Sequence, residues 1–267
     1  MKILLNLNYK KHLKKIKINC FNSFKSKFNM DKIFDNIQQK NIQSNKKNVD
    51  FFNQKGYVVI DELFSSIECD KIYDLVVQDA DKKFSAIMNP DRKYKEIRQV
   101  MRAKRIVNFL QELWTDEPMG LMSQFLFKKA GSPYASQAWN PHQDNSYVQT
   151  PNGEYLTINI ALEDQYYDNG CMYIYPNSHK EGIFEYEPTK SYHENTFSNP
   201  GNKIDNTILK RFEKKDLLIK KGGALFLSGN CIHGSYSNNS DKNRPLLSIS
   251  YIPKGTPFLV GKNAKRK

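Results

Sequence analysis

His142 and Asp144 stand two residues apart in NPHQDNSY (Asn140–Tyr147), in a chain that has only five histidines. At i and i+2 of an extended backbone, an imidazole nitrogen and a carboxylate project from one face, and the intervening Gln143 points to the other. Such a pair can supply two ligands to a divalent metal and leave further positions open. Four histidines remain as a third ligand. His12 lies in a lysine-rich N-terminal segment and His193 in a long polar insertion, and His179 follows the turn Pro176-Asn177-Ser178, where a structural hydrogen bond is expected. His233 sits in the strand-like run NCIHGSY, 89 residues beyond Asp144, far enough to cross a barrel. Two histidines and one carboxylate form the facial ligand set of non-haem Fe(II) oxygenases, with room for O2 and a bidentate co-substrate.

A co-substrate that chelates iron needs a cation for its far carboxylate. Arg244 follows His233 by eleven residues across the turn SNNSDKN, which can bring both to one cavity on successive strands. Its planar fork suits bidentate carboxylate binding. Ser235 shares the face of His233 and can donate a second hydrogen bond. In the run Tyr155–Glu163, Leu156, Ile158, Ile160 and Leu162 fall on one face and Tyr155, Thr157, Asn159 and Ala161 on the other. The apolar face is expected to pack on the core, and the small polar face to line a pocket. Trp139 and Tyr147 flank the ligand pair and, with Thr157, are candidate substrate contacts.

The elements that must position these residues change character along the chain. GYVVIDELF (Gly56–Phe64) reads as a short strand. The capping box Ser65-Ser66-Ile67-Glu68 then opens a helix to about Ala80, with Ile72, Tyr73, Val76 and Val77 at helical spacing. A second helix is expected around Arg105–Trp114. After Gly120 the pattern is one of short strand-like runs: Leu121–Lys128, Tyr155–Glu163, Cys171–Tyr175, Leu217–Lys220, Ala224–Leu227, Cys231–Ser235 and Pro245–Ile252. Turn-forming segments such as TPNGE, YDNG and KKGG separate them, which predicts a mainly β fold with covering helices, a sandwich or double-sheet jelly roll. An insertion at about Glu181–Lys215 breaks the rhythm, and its length suits a lid or binding loop.

Length and charge bound the organisation. At 267 residues the chain fits one large domain, read as residues 51–258. Residues 1–50 read as a basic tail that runs from Met30 into a linker or loose helix, and 259–267 as a smaller basic end. The net charge of +13 falls to +5 once the eight lysines of residues 1–30 are set aside, so the charge makes no strong case for nucleic-acid binding. That acid-free start is expected to be a solvated, disordered extension, with organelle targeting or a membrane-surface role as the alternatives. No apolar run approaches the ~18 residues of a transmembrane helix. Cys20, Cys69, Cys171 and Cys231 form no CxxC pair, which argues against a zinc knuckle and fits a reducing, cytoplasmic setting.

The order of PHQD, GCMYIYPNSHK (Gly170–Lys180) and KKGGALFLSGNCIHGSYSNNSDKNRPLLSISY (Lys220–Tyr251) resembles the phytanoyl-CoA dioxygenase family, as does GYVVIDELFS, over about Phe51 to Phe258. The resemblance implies a cupin-like double-stranded β-helix that binds Fe(II) through His142, Asp144 and His233 and 2-oxoglutarate through Arg244. It further implies that O2 and 2-oxoglutarate react at iron to give succinate, CO2 and a ferryl species that hydroxylates a small molecule, with ascorbate supporting activity. Gln124 falls where family members often carry a polar co-substrate contact. Two positions depart from the pattern: Asn159 stands where a tryptophan is common and Gly223 where an aspartate is common. The first enlarges the pocket or makes it more polar, so phytanoyl-CoA is not the expected substrate. Asp144 argues against a halogenase, which needs a small residue there. The alternatives are a related dioxygenase acting on nucleic acid or protein, and a non-catalytic jelly-roll binding module. Oligomeric state is not legible in the sequence.

Overall fold

Two antiparallel sheets built from the short runs after Gly120 set the frame of the protein, seen in a computed structural model that describes residues 30–41, 46–79, 86–132, 138–187 and 202–259. The strands are β1 (Tyr57–Ile60), β2 (Ala86–Met88), β3 (Pro118–Leu126), β4 (Trp139–His142), β5 (Leu156–Ala161) and β6 (Met172–Ile174). They continue with β7 (Tyr186–Glu187), β8 (Lys203–Ile204), β9 (Lys215–Leu217), β10 (Ala224–Ser228), β11 (His233–Ser235) and β12 (Leu246–Pro253). The larger sheet has the order β1-β10-β5-β12-β3-β2, the smaller β4-β11-β6-β9, and β7 and β8 form a separate ribbon. This is the expected double-sheet jelly roll.

Alternation along the strands divides the core in two. On one face of the larger sheet, Leu156, Ile158 and Ile160 of β5 join Phe226, Leu247 and Ile249, and this layer is covered by helices. These are α1 (30–39), α2 (Lys46–Lys55), α3 (Ser66–Val76), α4 (Pro90–Lys93), α5 (Lys95–Met101) and α6 (Lys104–Leu113), and a short α7 (Asn206–Leu209) lies in the insertion. On the other face, Ala161, Leu225, Leu227 and Leu246 meet Met172, Ile174 and Leu217 of the smaller sheet. The pocket-forming residues share that inner face in register rows. Thr157 pairs with Ser250, which pairs with Met122; Asn159 pairs with Ser248, which pairs with Gln124 and on to Met88.

The capping box does form: Glu68 N donates to Ser65 Oγ at 3.3 Å and Ser65 N to Glu68 Oε2 at 2.7 Å, and α3 ends at Val76, short of Ala80. The same carboxylate is half of a buried ion pair. Arg105 of α6 reaches Glu68 Oε1 at 2.8 Å and Oε2 at 3.1 Å, and donates to Leu63 O at 2.6 Å and Ile37 O at 3.3 Å. Its guanidinium lies 4.1 Å from the centre of the Phe64 ring. One side chain thus ties α1, α3, α6 and the turn after β1 together. At the far side of that turn Gly222 has φ +87°, and an added Cβ would fall 2.0 Å from Phe64 O, so the KKGG turn requires glycine there. Gly223 is close-packed as well, with Ile219 Cγ2 2.8 Å from a Cβ position.

The folded body begins before residue 51. Helix α1 buries Phe34 and Ile37 completely, and α2 buries Val49 and Phe52 against the same core. Of the two alternatives, linker or loose helix, the second holds over 30–39 and from Lys46 on, because two apolar residues three apart are enough to seat a short helix that neighbouring layers complete. Residues 1–29 and 260–267 lie outside the described residues, as does 188–201 of the insertion. Among the described residues no helix is long and apolar enough to cross a membrane.

Replacing Arg105 by methionine leaves the Glu68 carboxylate buried without its partner, and stability should fall by about 3–5 kcal/mol, read as a lower urea midpoint. Burial opposes ionisation of Glu68, but Arg105 and the Ser65 bonds outweigh it and hold its pKa below the ordinary value. Its contribution to stability is therefore present above the unfolded-state pKa and is lost as pH falls through the lower folded value. The Arg105→Met protein should show a weaker loss of stability on acidification than the unsubstituted protein.

Candidate metal centre

Strand pairing places His233 beside His142. His142 ends β4, His233 begins β11, and the two are register partners across the ladder. Their rings lie 4.3 Å apart. Asp144 is not on the strand, as an i, i+2 strand pair would have it, but opens a 3-10 turn, Asp144–Tyr147, immediately after it. The change of direction aims the carboxylate back between the two rings. His142 Nε2 and His233 Nε2 each lie 3.5 Å from Asp144 Oδ1. Among the described residues these three form the cluster able to hold a metal ion, with ligand atoms all within 4.8 Å of one another. Ligand atoms about 2.0–2.2 Å from a metal lie roughly 3 Å apart at adjacent corners, so an ion bound here would draw the three groups closer together.

Hydrogen bonds from the far side of each group fix its presentation. His142 Nδ1 sits 2.7 Å from Asn140 O and His233 Nδ1 3.0 Å from Cys231 O. Facing a carbonyl, each Nδ1 carries the hydrogen, which leaves the Nε2 lone pairs pointing at Asp144. Thr157 Oγ1 donates to Asp144 Oδ2 at 2.7 Å and leaves Oδ1 for the imidazoles. Burial lowers the pKa of His142, assisted by the neighbouring His233. Burial works the same way on His233, but the Asp144 carboxylate outweighs it and raises that imidazole above its ordinary value. For Asp144 burial opposes ionisation, yet His233 and His142 hold it well below the usual carboxylate range. Two aligned lone pairs and an anion converge on one point, a donor set that fits a divalent cation.

The surroundings are mixed. Ser235 is buried on β11 opposite Trp139. The intervening Gly234 leaves no room for a side chain, since a Cβ would fall 2.4 Å from Tyr173 Oη. Arg244 is buried just before β12, and its amide donates to Phe127 O at 3.0 Å. It lies close enough to the buried Lys128 to depress the ammonium, whose pKa burial already lowers well below the ordinary value. Gln124 and Asn159 share a row of the inner face, flanking Ser248. Trp139 and Tyr147 both stand beside His142, with ring centres at 5.7 and 6.4 Å. Thr157, expected to meet substrate, also donates its hydroxyl to the Asp144 carboxylate. His179 packs over Gly56, with Nε2 3.1 Å from Asn53 O, and takes no part in the centre. His12 and His193 lie outside the described residues.

Residue spacing alone missed Gln143, Ser146 and Asn202. Gln143 does point away from the cluster, and the residue is 1% exposed with its amide engaged by backbone groups from two other loops. The signal was its amide type between two ligands; its partners are too distant in sequence to name.

A family description, Phytanoyl-CoA dioxygenase (PhyH), matches residues 52–246. The chain is 28% identical over 156 residues to a Danio rerio protein named Phytanoyl-CoA dioxygenase domain-containing protein 1, covering 57% of this chain and 51% of that one. It therefore spans about half the length of curated relatives of this kind. A Stutzerimonas stutzeri protein named Probable alpha-ketoglutarate-dependent hypophosphite dioxygenase is 26% identical over 234 residues, 78% of each chain. The crystal structure of the epimerase SnoN in complex with Fe3+, alpha ketoglutarate and nogalamycin RO superposes with a TM-score of 0.63 at 18% identity, over 78% of this chain and 83% of that one. That likeness is one of fold.

Thr157→Val keeps the shape and removes the hydroxyl from Asp144. Its affinity for Co(II), followed by visible absorption, should fall on the order of 10-fold, as is typical when a group supporting a ligand is lost. The circular dichroism spectrum should not change.

Proposed function

The chain belongs to the phytanoyl-CoA dioxygenase family, and on that premise we propose that it is an Fe(II)- and 2-oxoglutarate-dependent oxygenase that hydroxylates a small organic substrate. The observation that carries the reading is the convergence of His142 Nε2, His233 Nε2 and Asp144 Oδ1 on one point. Iron bound there supplies activation of O2, coupled to decarboxylation of 2-oxoglutarate to succinate and CO2. The chain's own residues prepare that chemistry. His142, Asp144 and His233 would hold the ion with three ligands and leave positions open for co-substrate and O2.

Arg244 holds the far carboxylate of 2-oxoglutarate by its fork, and Ser235, on the same face as His233, adds a hydroxyl donor. Gln124 and Asn159 contribute amides to the wall between the sheets. Trp139 and Tyr147 stand beside His142 where a substrate would lie against their rings. The inner rows carry hydroxyls and amides (Thr157, Ser250, Asn159, Ser248, Gln124) and end on Met122 and Met88, a lining for a compact, partly polar molecule rather than a long acyl chain. The names of the hypophosphite dioxygenase and of the SnoN complex both refer to small molecules, which supports the same class. The described cysteines, Cys69, Cys171 and Cys231, are free and buried, which suits a reducing compartment such as the cytoplasm. Ascorbate serves as the supporting reductant in the assay below.

Purified protein should convert 2-oxoglutarate to succinate only when Fe(II) is added, and His142→Ala should abolish the conversion. Arg244→Gln should raise KM for 2-oxoglutarate on the order of 10- to 100-fold, the equivalent of ~1.5–3 kcal/mol for a hydrogen bond to a charged group. Succinate formation that survives His142→Ala would remove the proposal.

A further inference from the structure

The insertion is fastened around Asp144 at two feet, 182–184 held by Gln143 just before the Asp144–Tyr147 turn and Asn202 held by Ser146 and Tyr147 within it. At the first foot, Gln143 Nε2 donates to Gly182 O at 2.7 Å, and Phe184 N donates to Gln143 Oε1 at 2.8 Å. The second hydrogen of the same amide goes to Asn230 O at 2.6 Å, on the turn that leads into His233. At the second foot, Asn202 N donates to Tyr147 Oη at 2.8 Å, and Asn202 Nδ2 to Ser146 Oγ at 3.1 Å. Ser146 Oγ donates in turn to Gln143 O at 2.6 Å. Asn145 completes the set, with Nδ2 2.9 Å from Asn230 Oδ1 and its amide 2.9 Å from Gly229 O. Every member but Asn230 and Tyr147 is at least nine-tenths buried or is backbone.

The arrangement has a consequence for the metal. Gln143 lies between two ligands in sequence, and its amide joins the Asp144 turn, the approach to His233 and the first foot. A buried network with every bond made is stiff, because any member left without a partner is costly. Displacing either foot therefore moves the turn that aims Asp144, and drawing Asp144 and His233 onto one ion holds both feet. We propose that Gln143 is a positioning residue that couples the seating of residues 182–184 and 202 to occupancy of the metal centre. This rests on the metal reading above, and it extends that reading from the ligands to the segment that follows β6. Coupling of this kind is reciprocal: whatever factor a loosened foot costs the metal, the bound metal returns to the foot.

The test uses the full chain and Co(II) alone. Visible absorption gives the affinity of the unsubstituted protein, Gln143→Leu and Asn202→Ala, and hydrogen exchange read by mass spectrometry gives protection of peptides containing 182–184 and 202. Both variants should bind Co(II) on the order of 10-fold more weakly. Co(II) should slow exchange at both feet in the unsubstituted protein and not at the first foot in Gln143→Leu. A merely structural glutamine would change exchange equally with and without metal. If Gln143→Leu does not fold, Asn202→Ala decides alone. Stoichiometric Co(II) binding by the unsubstituted protein with equal affinity in the folded variants, or feet whose exchange ignores the metal, overturns the coupling and leaves the metal centre standing. No Co(II) binding by the unsubstituted protein overturns both.

Discussion

A carboxylate placed between two imidazole lone pairs is the constraint from which the rest of the site follows. Asp144 is held ionised in a largely buried position, and a neutral ring whose Nδ1 donates to a carbonyl turns only a lone pair at Nε2 toward it. Such a cluster is satisfied either by a proton on one ring, His233 being the ring whose pKa rises, or by one cation shared among all three. The Thr157 hydroxyl removes one carboxylate oxygen from the competition and so fixes which oxygen faces the ion. Protons compete with metal for the same lone pairs, so the centre is by construction weaker in acid.

The fold delivers that cluster by dividing labour between its sheets. The smaller sheet and the turn after β4 carry all three ligands, and the larger sheet supplies the groups that support and surround them. The Thr157–Asp144 hydrogen bond joins the two across the interior. Because side chains alternate along β5, the residues that line the pocket are one step from those that hold the covering helices, Ile158 and Ile160. The Glu68–Arg105 pair belongs to that outer layer and pins the helices without entering the pocket.

The clustering of His142, Asp144 and His233 was legible because their signal is short-range: two residues of spacing for His142 and Asp144, and a strand-like run around His233. The strand pattern after Gly120 was legible for the same reason, since turn chemistry and alternation are local. What stayed hidden depends on pairings far apart in the chain. Helix 30–39 is polar apart from the few side chains it buries, and only the core it meets makes Phe34 and Ile37 visible as anchors. The Glu68 carboxylate reads as a helix cap, and its second partner lies 37 residues away. Thr157 reads as a pocket residue, but strand register turns it toward Asp144. Gln143 reads as a side chain turned from the metal, which is correct; where it turns to is decided by Gly182, Phe184 and Asn230.

The most direct measurement of the central claim is an anomalous-scattering map at the iron edge, from crystals grown without oxygen in Fe(II) and 2-oxoglutarate. The account predicts a single iron peak bonded to His142 Nε2, His233 Nε2 and a carboxylate oxygen of Asp144, with 2-oxoglutarate density running from it to the Arg244 guanidinium. Iron absent from that point, or bound there with the co-substrate directed away from Arg244, would contradict it.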